Sequence, residues 1–167
     1  MPAKHAPTFD ELVERMAALH GKLRRRKLTV AVAESCTGGL LAAVLSAHGG
    51  SSDYFRGGAV VYRNEAKEIL ADVAPQLIHS HGAVSSVVAG ALARGARSRL
   101  AAKIGLGITG ISGPGGATPG KPVGLTYVAV DSDKHSAVKK HLWTFERAGN
   151  RLASVGAALD LLEVAIA

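Results

Sequence analysis

An α/β layered fold on a mixed sheet is what this sequence predicts, and three features carry the expectation. Amphipathic segments alternate with short apolar, β-branched runs, so helices and strands alternate along the chain. The last two apolar runs, Leu125–Val130 and Val138–Phe145, are joined through the polar turn "DSDKH", a link short enough to force antiparallel pairing. The 167 residues, 47% of them hydrophobic, suffice for one sizeable core, and no repeat, linker or composition shift marks a second domain.

The elements follow in order. Thr8-Phe9-Asp10-Glu11 reads as a capping box that opens a helix running to about Arg25. Leu28–Glu34 is a buried strand. Thr37–Ala47 reads as a helix entered through Gly38-Gly39, and Gly49–Asp53 as a loop. Gly58–Tyr62 is a second strand, after which Asn64 is expected to cap a helix through Leu70. His79–Val84 reads as a turn, and Ser85 caps a helix to about Ala102. Ile104–Thr109 is the third strand. Residues 110–124, "GISGPGGATPGKPVG", form a loop with six glycines and three prolines. The strand pair follows, and Arg151–Ala167 closes the chain as an amphipathic helix.

Composition narrows the function classes. No apolar run reaches the roughly 18 residues of a membrane span, and the N-terminus lacks the apolar stretch of a secretory leader. One cysteine excludes an internal disulfide, which fits a cytoplasmic location. The net charge of +7 favours anionic partners. Its densest run, Arg24-Arg25-Arg26-Lys27, reads as the dipole-compatible last turn of a helix, and no aromatics interleave with it to stack single strands. Nucleic acid is therefore not the expected partner. No zinc spacing is seen, so no metal is expected.

Three stretches carry chemistry. In "AESCTGG", residues 33–39, a buried strand ends in a serine and a cysteine and turns into a helix start, where backbone N–H groups could stabilise an oxyanion or hold a phosphate. Ser35 and Cys36 both qualify as nucleophiles. They face opposite ways if the strand continues, and Ser35 or Thr37 could equally serve as a cap. In "GGAVVYRNEAKEIL", residues 57–70, Tyr62 lies at a strand end and Lys67 in the first turn of a helix, against the dipole. A base made from that lysine must be held neutral, at a cost of about 4 kcal/mol near pH 7, by burial and the positive helix end. Otherwise it is a surface lysine paired with Glu65 or Glu68. The glycine-rich loop follows a strand directly, where ligands bind in open α/β sheets, and is neither a Walker loop nor a dinucleotide fingerprint. His79, His81 and His135 lie in turns with no carboxylate placed to orient them.

Together, "AESCTGGLLAA", "YFRGGAVVYRNEAK", "HGAVS" and "TGISGPGGATPGKPVG" resemble the CinA C-terminal domain family, from about residue 9 to the C-terminus. The resemblance implies a three-layer α/β/α sandwich on a mixed β-sheet. It implies a cofactor-independent amidase that hydrolyses the carboxamide of nicotinamide mononucleotide to the acid and ammonia. By the same resemblance Ser35 is the nucleophile, Lys67 its base and Tyr62 an orienting residue. The substrate would be held by Thr37, Gly38 and Gly39, by Thr109, Gly110, Ser112, Gly113, Gly115 and Gly116 of the loop, and by Arg151. Many relatives carry this domain behind a larger one, and this chain reads as a stand-alone, homo-oligomeric form. Relatives commonly show Gly-Asp-Arg with a second arginine four residues on. Aligned on Gly149 and Arg151, this chain has Asn150 and Val155 at those places, which puts its phosphate contact in doubt. A non-catalytic nucleotide-binding domain, or a competence-related accessory protein on the same fold, is the alternative.

Overall fold

The computed structural model describes residues 5–167. Helix α1 (Phe9–Arg26) opens with the expected capping box: Glu11 N donates to Thr8 Oγ1 at 3.2 Å and Thr8 N donates to Glu11 Oε2 at 2.7 Å. Its buried face is Leu12, Met16, Leu19 and Leu23, spaced at helical period. Strand β1 (Val30–Glu34) is buried throughout. Helix α2 (Leu40–Leu45) starts three residues later than expected, because Gly38 and Gly39 take left-handed backbone angles (φ 60° and 100°) that turn the chain before it can coil.

Strand β2 (Phe55–Val60) leads to helix α3 (Asn64–Ala71), whose cap is Arg63 with no side-chain bond, so Asn64 is the first helical residue and not the cap. Helix α4 (Pro75–His81) occupies a stretch left without an element from sequence and shortens the expected turn at His79–Val84. Pro75 sits in its first turn, where a missing N–H costs nothing. Ser85 caps α5 (Ser86–Arg99) as expected, accepting from Val88 N. Strands β3 (Ile104–Gly110), β4 (Leu125–Ser132) and β5 (Ser136–Leu142) complete the sheet, β5 lying some residues earlier than its apolar pattern suggested. The closing helix α6 (Arg147–Ala165) begins one full turn before Arg151.

The sheet has the order β2-β1-β3-β4-β5. β1 pairs parallel with β2 and β3, and the other pairs are antiparallel, so the sheet is mixed. Alternation along β1 divides the core. Val30 and Val32 point to one face, packed with α1, α2 and α6; Ala31 and Ala33 point to the other, packed with α3, α4 and α5. The result is three layers. On the second face the sheet is made of small residues so that α5 can lie close. A Cβ on Gly105 or Gly107 would run into the carbonyls of Ala93 and Ala89, and one on Gly95 into that of Ala71 on α3. No helix among the described residues is long and apolar enough to cross a membrane.

Candidate active site

The period of two that splits the core also sets the chemistry at the end of β1. Ser35 continues the Ala31 and Ala33 side and meets α3; Cys36 continues the Val32 side and joins the aliphatic core. Lys67, the fourth residue of α3, is 1% exposed. Its Nζ lies 3.3 Å from Ser35 Oγ and donates to the carbonyls of Val61 (2.8 Å) and Tyr62 (3.3 Å). Burial lowers the Lys67 pKa from the ordinary lysine value, since the charged form loses its water. Burial likewise pushes the Cys36 thiol up, which keeps it protonated and unreactive. Glu34, next to Ser35 in sequence, points to the opposite face and makes no bond to Lys67.

Around this pair lies a cavity of about 300 Å³. Of the residues singled out from sequence, Ser35, Tyr62, Lys67, Thr109, Gly110, Ser112, Gly113, Gly115 and Gly116 line it, together with Cys36. Thr109 Oγ1 donates 2.8 Å to the Ala83 carbonyl and so holds the "HGAVS" turn against the end of β3. Ser112 Oγ is buried beside the Cys36 thiol. Tyr62 is 54% exposed; its carbonyl meets Lys67, whereas its hydroxyl accepts from Arg147 Nη2 at 2.9 Å.

Thr37, Gly38, Gly39 and Arg151 do not line the cavity. Thr37 Oγ1 and Gly39 N both donate to Glu34, and Gly38 N donates to the Ser35 carbonyl, so two of the amides read as oxyanion donors are already engaged. Arg151 lies behind the turn and donates to the carbonyls of Cys36 (3.1 Å) and Thr37 (2.9 Å).

The cavity does contain an arginine that sequence reasoning missed. Arg147, exposed at the first turn of α6, bridges Tyr62 Oη and the Gly113 carbonyl. The helix expected from Arg151 starts a turn earlier, at Arg147. Asn150 is in fact buried inside the helix, where Nδ2 donates to the Ser112 carbonyl and Oδ1 accepts from Phe145 N, each at 3.0 Å. Val155 is fully buried among aliphatics and reaches no cavity. An acidic residue, an arginine at the first helical position and a second arginine four residues on are all present, as Glu146, Arg147 and Arg151. The same pattern can therefore be laid on Glu146, Arg147 and Arg151 as well as on Gly149, Asn150 and Arg151.

Known proteins share this fold. The model of the CinA C-terminal domain matches residues 13–166. CinA-like proteins of Acidobacterium capsulatum and Koribacter versatilis are 51% and 50% identical over 84% and 93% of this chain; the chain spans only 34% and 37% of their length. Among solved structures, the competence/damage inducible protein CihA from Agrobacterium tumefaciens is 34% identical, with a TM-score of 0.90 over 98% of this chain and 99% of that one. A CinA superfamily protein from Escherichia coli is 30% identical, with a TM-score of 0.87 over 94% and 90%. The chain belongs to the CinA C-terminal domain family.

Proposed function

We propose that the chain hydrolyses the carboxamide of nicotinamide mononucleotide to nicotinate mononucleotide and ammonia by a Ser–Lys mechanism. The observation that carries the reading is the buried contact of Lys67 Nζ with Ser35 Oγ. A neutral lysine amine has two hydrogens and one lone pair. The carbonyls of Val61 and Tyr62 take the two hydrogens, and the lone pair is left for the Ser35 hydroxyl. Ser35 Oγ attacks the amide carbon while Lys67 removes its proton. The C–N bond then breaks, with that proton delivered to the departing ammonia. Water, deprotonated by the same amine, opens the Ser35 ester and releases the carboxylate. The amide of Cys36, the residue after the nucleophile, donates to no carbonyl among the described residues, which supports the oxyanion reading.

The charged contact for the phosphate is Arg147, with the glycine-rich loop of residues 110–116 close enough to place backbone against the ribose. The test is ammonia release from nicotinamide mononucleotide, nicotinamide riboside and nicotinamide. Release from the mononucleotide, falling steeply with the riboside and further with the free base, is expected. No ammonia from any of the three would overturn the reading.

A further inference from the structure

The turn that carries Ser35 is gripped from both sides, by two residues that lie outside the cavity. On one side is the carboxylate of Glu34, 1% exposed, with both oxygens fully used. Its Oε2 accepts from Thr37 Oγ1 (2.6 Å), Gly39 N (3.2 Å) and Leu41 N (3.0 Å), and its Oε1 from Ala42 N (2.8 Å). A carboxylate buried this deeply is tolerable because four donors surround it. It also closes the start of α2 to any outside anion. On the other side, Arg151 reaches across from α6 and takes the carbonyls of Cys36 and Thr37 through two separate N–H groups. Between them, the carbonyls of Ser35, Cys36 and Thr37 and the amides of Gly38, Gly39 and Leu40 are all bonded. The amides of Cys36 and Thr37 donate to no carbonyl among the described residues.

We infer that Glu34 and Arg151 are positioning residues for the amidase proposed above: they hold the 35–39 turn in the one shape that keeps Ser35 Oγ on Lys67. Arg151 acts on the backbone of the nucleophile's turn, and Arg147 alone meets the substrate's anion. The division follows from geometry. The Arg151 guanidinium is spent on two carbonyls behind the turn, and only Arg147 lines the cavity. Lysine cannot replace the Arg151 fork, because a point charge cannot serve two carbonyls in fixed directions.

The experiment measures kcat and KM for nicotinamide mononucleotide in the wild type, Arg151→Ala, Arg151→Lys, Glu34→Gln and Arg147→Ala, with Tm recorded for each. Loss of position costs turnover, so Arg151→Ala should lower kcat about 10- to 100-fold with KM within about twofold. Arg151→Lys should recover only part of it. Glu34→Gln should also lower kcat, since its amide hydrogens would face donors. Arg147→Ala should do the reverse and raise KM. A raised KM at unchanged kcat in Arg151→Ala would make Arg151 a substrate contact, and no change in either would remove it from the site; both overturn the inference. If the wild type releases no ammonia, the amidase reading fails by itself. The clamp is then judged by hydrogen exchange: faster exchange at the amides of residues 38–42 in Arg151→Lys supports it, and unchanged exchange overturns it.

Discussion

Two basic side chains face one cavity, and the proposed mechanism gives them opposite tasks. Lys67 is sealed beneath the nucleophile, hydrogen-bonded to two carbonyls, with its pKa lowered by loss of water. Arg147 stands exposed at the rim, joined to the hydroxyl of Tyr62 and the carbonyl of Gly113. Both occupy the first turn of a helix, where the dipole disfavours a positive charge. For Lys67 that unfavourable end helps keep the amine neutral and able to accept a proton. For Arg147, whose guanidinium never deprotonates, it leaves a cation whose charge calls for an anion. In the proposed mechanism, proton transfer and anion binding are thus separated by burial and by the choice of lysine or arginine.

Replacing the buried cation should give the largest effect. Lys67→Met and Lys67→Arg are expected to lower kcat about 10²- to 10⁴-fold, the arginine variant failing because it cannot lose its proton. The wild-type rate should rise with pH through the lowered lysine pKa, and that limb should vanish from the residual activity of both variants. The same group links pH to stability. Its pKa in the folded chain lies below the unfolded value of about 10.4, so between the two the unfolded chain holds more protons and folding is strengthened as pH rises. Thermal unfolding at several pH values should therefore show the wild type gaining stability toward pH 10, with Lys67→Met more stable than the wild type at pH 7 and flatter with pH.

Changing the exposed cation should leave chemistry alone and weaken binding. Arg147→Ala is expected to raise KM for nicotinamide mononucleotide about 10- to 100-fold, the worth of a charged contact. With nicotinamide riboside, which carries no phosphate, the same variant should change KM little. A loss of equal size on both substrates would break the separation between the two cations. The smallest effect is expected from Tyr62→Phe. It removes only the bond to Arg147, while the carbonyl that meets Lys67 remains, so KM should shift a few-fold with kcat unchanged. A large drop in kcat would place the Tyr62 hydroxyl in the chemistry itself.

How far the site was legible depended on whether local chemistry or tertiary packing decided each residue. The alternation of Val and Ala in β1 already implied that Ser35 and Cys36 face opposite layers, and the fold bears this out. Lys67 announced itself by sitting against a helix dipole. Arg147 was hidden because α6 starts at Glu146 in extended backbone with no side-chain cap, whereas Gly149-Asn150 nearby carries the usual start signals. Helix α4 was hidden by its shortness and by the turn-like residues around it. Glu34 offered a signal that went unread: a carboxylate ending a fully buried strand must find donors, and the only supply nearby is the start of α2. Reading that requirement forward would have shown that the Gly39 amide was not available to a substrate.

The central question is which side chain at the end of β1 attacks the amide. The direct measurement is ammonia release from nicotinamide mononucleotide by the wild type, Ser35→Ala and Cys36→Ala under the same conditions. Ser35→Ala should fold normally and fall to background, because the lone pair of Lys67 would have no hydroxyl to activate. Cys36→Ala should retain most of the activity, its buried thiol being protonated and turned into the core. An active Ser35→Ala beside an inactive, folded Cys36→Ala would contradict the Ser–Lys mechanism and make the thiol the nucleophile.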